Sequence, residues 1–99
     1  RNSREFKEVI AAKPFLTFLN NDFMLLINAF SETLRVHKEK YPIINQLCSV
    51  IKNLYIYHSE GWQQNYYVNM FFNNINSFYH RKDLLSLIFD TLYSMVKVN

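Results

Sequence analysis

The stretch RKDLLSLIFDTLYSMVKVN, residues 81–99, decides how this chain folds. At about 100° per residue, Leu84, Leu85, Ile88, Leu92, Met95 and Val96 gather on one face of a helix. Asp83, Ser86, Asp90, Ser94 and Lys97 gather on the opposite face. Asp90 therefore does not interrupt the apolar stripe, although it sits amid apolar neighbours in the linear sequence. Leu87 lies near one edge of the stripe, while Phe89 and Tyr93 lie toward the other edge, beside the polar strip.

The same spacing recurs upstream. HRKD (80–83) is a short charged link, and Asp83 favours the start of the last helix through the helix dipole. From Trp62 a helix carries Val68, Phe71, Phe72, Ile75, Phe78 and Tyr79. YHSEG (57–61) is the clearest loop, with Gly61 the residue free to take a positive φ. Pro42 starts another helix, whose stripe is Ile44, Leu47, Ile51 and Leu54. RVHKEKY (35–41) ends the helix before it, which carries Phe23, Leu26, Ile27, Phe30 and Leu34, with Asp22 as its expected N-cap. Further back, Ser3 caps a helix running to about Lys13, and Pro14 opens a segment with Phe15, Leu16, Phe18 and Leu19. The expected fold is all-α. Five to six helices, joined by short links, pack as antiparallel hairpins in a compact bundle or short right-handed superhelix.

Composition agrees. The 99 residues suit one domain, 1–99, and 49% hydrophobic with 17% aromatic residues is ample for a core. One glycine and two prolines are too few for the tight turns of a multi-strand fold. The net charge of +3 is mild. A single cysteine, Cys48, allows no internal disulfide, and with no Asn-x-Ser/Thr sequon it favours an intracellular setting, nuclear or cytoplasmic. No apolar run reaches the roughly 18 residues of a membrane span, and no leader pattern opens the sequence.

Catalytic and metal chemistry find little support. His37, His58 and His80 are widely spaced, with no cysteine or carboxylate at ligand spacing, so no metal or cofactor is expected. Cys48 lies within an apolar helix and reads as a small buried hydrophobe. One glycine cannot build a phosphate-cradling loop. Basic residues fall in three groups: Arg1, Arg4, Lys7 and Lys13; Arg35, Lys38 and Lys40; Arg81 and Lys82. Glu5, Glu8, Glu32 and Glu39 dilute the first two, which reads as solvated faces more readily than as a phosphate-binding surface. Tyr55, Tyr57 and Trp62 surround the glycine loop, where an exposed aromatic patch would anchor a partner.

Residues 81–95, RKDLLSLIFDTLYSM, resemble the fourth helix of the domains that bind the RNA polymerase II C-terminal tail. Lys82 and Asp90-Thr91-Leu92 stand at the family's lysine and "D-S-I" positions, while Ser94-Met95 replace its usual Lys-Asn pair. YPIINQLCSVIKN (41–53) resembles the family's second helix and YYVNMFFNNINSF (66–78) its third. The related VHS and ENTH adaptor domains share the same superhelix. The resemblance implies that Asp90 accepts a hydrogen bond from a turn in a bound peptide, with Thr91 and Tyr93 shaping the groove.

The expected function is therefore non-catalytic recognition of a protein or peptide, including a polymerase-tail-like phosphopeptide, or a scaffold role within a larger complex. The peptide-binding residues are Asp90, Thr91 and Tyr93, and the protein-interface residues are Phe89, Tyr93 and Trp62. The apolar outer side of the last helix is expected to be covered by another chain, in a homo-oligomer or larger complex, or by another part of a larger protein. The alternative is a helical nucleic-acid-binding module that uses the scattered basic residues.

Overall fold

The computed structural model describes residues 21–97. Four α-helices stand in this region, α1 (Phe23–Val36), α2 (Tyr41–Tyr57), α3 (Gly61–Asn74) and α4 (Lys82–Val96), with a 3₁₀ turn, Ile75–Phe78, closing α3. There is no strand among the described residues. The all-α expectation holds, but the described helices number four, not five to six. The two helices expected over Ser3–Lys13 and from Pro14 lie outside the described residues.

Local chemistry explains most of the boundaries. Pro42 occupies the first turn of α2, where a missing N–H leaves no helical bond unmade. At the far end the His58 N–H donates to the Leu54 carbonyl at 2.9 Å, and the Ser59 hydroxyl donates to the Tyr55 carbonyl. Glu60 then caps α3 through a reciprocal box: its carboxylate accepts from the backbone of Gln63, and Gln63 Oε1 accepts from the Glu60 N–H at 2.9 Å.

Two expectations fail at these ends. Asp22 stands at the N-cap of α1, but its side chain makes no capping bond. Gly61 takes no positive φ; it is the first residue of α3, and the chain reverses through His58 and the extended Glu60 instead.

The packing order is informative. Phe23, at the start of α1, meets Trp62 and Tyr67, at the start of α3, with ring centroids 5.2 and 5.3 Å apart. Ser31, farther along α1, accepts from Asn74 Nδ2, at the end of α3, at 3.0 Å. Start meets start and end meets end, so α1 and α3 run parallel, side by side. Likewise Glu39, just before α2, bonds His80 and Arg81, just before α4, while Cys48 farther on bonds Thr91. Helices two apart in sequence are thus the principal neighbours. In a square up-and-down bundle those parallel pairs would sit on the diagonals and touch least. Contact between consecutive helices, the expected hairpin partners, is the lesser part of the packing.

The core draws on every element: Leu34, Ile44, Ile51, Phe71, Phe78, Leu84, Ile88 and Met95 are fully buried. Phe30 is only partly buried against this cluster. On α3 the buried residues are Gln63, Tyr67, Met70 and Phe71. Phe72 and Tyr79, expected on the stripe, are 52% and 61% exposed. At about 100° per residue the observed and expected stripes lie roughly a quarter turn apart. α3 has apolar residues on both, and the rings of Phe23 and Tyr55 against Tyr67 select one. Val96 is also exposed, beyond the last buried turn of α4.

Candidate functional site

The seam between α2 and α4 opens into a groove of about 290 Å³. Asn45, Ser49 and Lys52 line it from α2, at i, i+4 and i+7; Leu87, Asp90 and Ser94 line it from α4, at i, i+3 and i+7. Cys48 and Thr91 form its floor, both buried. The Thr91 hydroxyl donates to the Leu87 carbonyl at 2.7 Å, one turn back, and also bonds the Cys48 thiol. A buried hydroxyl is stable here because it is satisfied on both sides.

Burial pushes the Cys48 thiol up to about 11, against smaller opposing effects of the Thr91 bond and the charge of Lys52. The sulfur is therefore a protonated thiol at neutral pH, while the thiolate is the nucleophilic form. The rim is polar and carries both signs, Lys52 on one wall and Asp90 on the other. Such a rim can bond a peptide's backbone and hydroxyls, and its two charges can fix the direction of a bound segment.

The expected site residues divide into three places. Asp90 and Thr91 do come together at the groove, one on the rim and one in the floor. Tyr93 does not line it: this side chain is 65% exposed on the outer side of α4, with the Lys97 ammonium 5.3 Å from its ring centre. Phe89 shares that outer side, as does Val96, and all three are exposed. Trp62 is elsewhere, at the start of α3, packed edge-on against Phe23 and Tyr66 with its indole N–H donating to Glu60 Oε1 at 3.2 Å. Of the aromatics around the loop, Tyr55 is buried and Tyr57 is exposed.

Sequence reasoning missed Asn45, Ser49, Lys52 and Ser94 as groove residues. The i, i+4, i+7 spacing of the first three was available as a signal, but nothing in the chain says that α4 lies across from them.

The basic groups are partly spent. Arg35 pairs with Glu32. Arg81 grips Asp83 through two bonds, at 3.0 and 2.7 Å, and donates to the Glu39 carbonyl at 3.0 Å. The first group, Arg1 to Lys13, lies outside the described residues. Among the described residues no set of three histidine, cysteine or carboxylate side chains could hold a metal ion, and no helix is long and apolar enough to cross a membrane. Comparison of the chain with protein-family models, curated proteins and solved structures finds no match.

Proposed function

We propose that this chain is a non-catalytic recognition domain that binds a protein segment in the α2/α4 groove. The observation that carries the reading is the groove itself: two parallel helices hold a polar rim of both signs over a satisfied, well-packed floor. Asp90 is its acceptor and Lys52 its cation. The exposed strip of Phe89, Tyr93 and Val96 adds a contact surface of the kind protein partners cover, a second copy of the chain included. The stacking of parallel, alternate helices supports the superhelical form of the fold, from which the resemblance to polymerase-tail-binding domains draws its ligand.

The first ligands to test are tyrosine- and serine-rich tail repeats, with and without phosphate, titrated against the chain by fluorescence anisotropy. The phosphorylated form should bind more tightly, through Lys52, because a phosphate adds acceptor oxygens and negative charge. Asp90→Asn should leave the fold intact, since Asp90 is exposed opposite the core. It turns a charge-assisted bond into a neutral one, a loss of roughly 1–2 kcal/mol or about five- to thirtyfold in affinity. Equal binding by the variant and the parent removes Asp90 from the site.

A further inference from the structure

A second groove, of about 250 Å³, runs between α1 and α3 and differs from the first in its chemistry. Asn28 lines it from α1 and Asn69 and Asn73 from α3, while Met24, Tyr66 and Met70 give it an apolar surface. No charged side chain lines it among the described residues. α3 carries no Asp, Glu, Lys or Arg anywhere from Gly61 to Asn74. Exposed helix faces are ordinarily charged, and asparagine is a weak helix former, so its recurrence at Asn65, Asn69 and Asn73 works against the helix that bears it.

Spacing suggests what the amides face. Four residues of α-helix advance about 6 Å, and an extended chain repeats every two residues at about 6.4–6.8 Å. Asn69 and Asn73 are thus in step with alternate residues of a strand laid along α3. A carboxamide both donates and accepts, as a peptide backbone does. The carboxamides of Asn28, Asn69 and Asn73 have no hydrogen-bond partner among the described residues. Beside them Tyr66 is held edge-on by Phe23 and Trp62, with ring centroids 5.9 and 6.2 Å away, so an apolar anchor is already in place.

We propose that this groove binds an extended, uncharged segment of a partner protein. Asn69 and Asn73 bond the backbone of alternate residues, Asn28 bonds it from across the groove, and Tyr66 with Met24 seats one apolar side chain. Charge, or its absence, selects this occupant. A charged side chain laid here would lose water and gain no counter-ion, and a nucleic acid would find no cation.

The test selects short random peptides on the immobilised full chain from a display library, then measures the synthesised winners by anisotropy. The expected result is an uncharged family that binds the parent and Asp90→Asn alike, and binds Asn69→Ala and Asn73→Ala about tenfold more weakly. Both alanine variants sit on an exposed helix face and favour the helix, so lost binding will not reflect lost folding. Methylating the peptide's backbone nitrogens one at a time should weaken binding at every second residue only. The proposal is overturned if no uncharged family is enriched, if either alanine variant binds as the parent does, or if methylation shows no two-residue period. Sedimentation showing a dimer that Asn69→Ala dissolves would give the groove to a second copy and also overturn it.

Discussion

Where α1 meets α3, rings and amides make the join: Phe23 against Trp62, Tyr66 and Tyr67 at one end, and Ser31 with Asn74 at the other. Where α2 meets α4, Glu39 ties the starts of the helices through its ion pair and carbonyl bond with Arg81 and its hydrogen bond with His80, and a thiol and a hydroxyl meet farther along. Both pairs are parallel and both open into a groove of similar volume. One groove bears charge and the other bears none. A single architecture thus gives two surfaces with different selectivity, because helix packing fixes the geometry of a seam while its outward residues remain free to vary.

The largest expected effect lies in the core that both pairs share. Phe71 is fully buried, and Phe71→Ala should cost on the order of 3–5 kcal/mol. Phe30, only partly buried, should cost about 1–2 kcal/mol as Phe30→Ala. Urea unfolding of the two variants checks the order, and equal losses would contradict the burial.

Next comes pH, which separates the pairs. A thiol whose folded pKa is raised above its unfolded value gives the native state stability that is intact below the unfolded value and lost as pH rises through the folded one. For Cys48 the window runs from its ordinary 9.0 to about 11. Stability should fall across it by on the order of 2–3 kcal/mol. Tyr67, also raised by burial, adds a loss in the same direction from its ordinary 10.0 upward, so the two windows overlap. Cys48→Ala should flatten the limb from pH 9 to 10, below the onset of the Tyr67 loss, in a series of thermal melts. On the acid side Asp83 behaves oppositely. The bond from Arg81 holds its carboxyl below the usual range, so its contribution is present above its ordinary value of 3.8 and is lost as pH falls through the depressed one.

The ties at the seams should differ in their response to salt. Asn74→Ala removes the bond to Ser31 and should cost about 1 kcal/mol at any ionic strength. Arg81→Gln breaks an exposed ion cluster, so its smaller cost should shrink further as salt rises. Paired denaturation curves at low and high salt distinguish the two. The smallest effect should have the opposite sign. A Cβ at Gly61 meets nothing within 4 Å, and the residue is helical, so Gly61→Ala should stabilise the chain by a few tenths of a kcal/mol. A lower melting temperature would show that the α2–α3 link needs a flexibility its backbone angles do not reveal.

Much of this could be read before the structure. The stripe Ile44, Leu47, Ile51, Leu54 is buried in full, and of the last stripe Leu84, Ile88, Leu92 and Met95 are buried. Both helices carry polar residues on their other faces, so only one rotation hides their apolar surface. α3 has no such contrast. Phe71, Ile75 and Phe78 of the expected stripe are buried, but the uncharged sequence lets the stripe extend to either side of them, and Phe72 and Tyr79 were placed on the side that stays exposed. Asp90 and Thr91 could be singled out from their own helix, but whether Tyr93 shares their groove depends on where α2 lies.

The sequence by itself determined the four described helices, most of the core and the buried character of Cys48. These follow from local periodicity and burial, which each segment carries in its own residues. The tertiary structure alone decided that α1 lies beside α3 and α2 beside α4, and hence which polar strips face each other across a seam. Pairing between helices two apart depends on long-range complementarity of ring against ring and ion against ion. No single helix contains that information, because each face acquires its role only when a neighbour covers it or leaves it open.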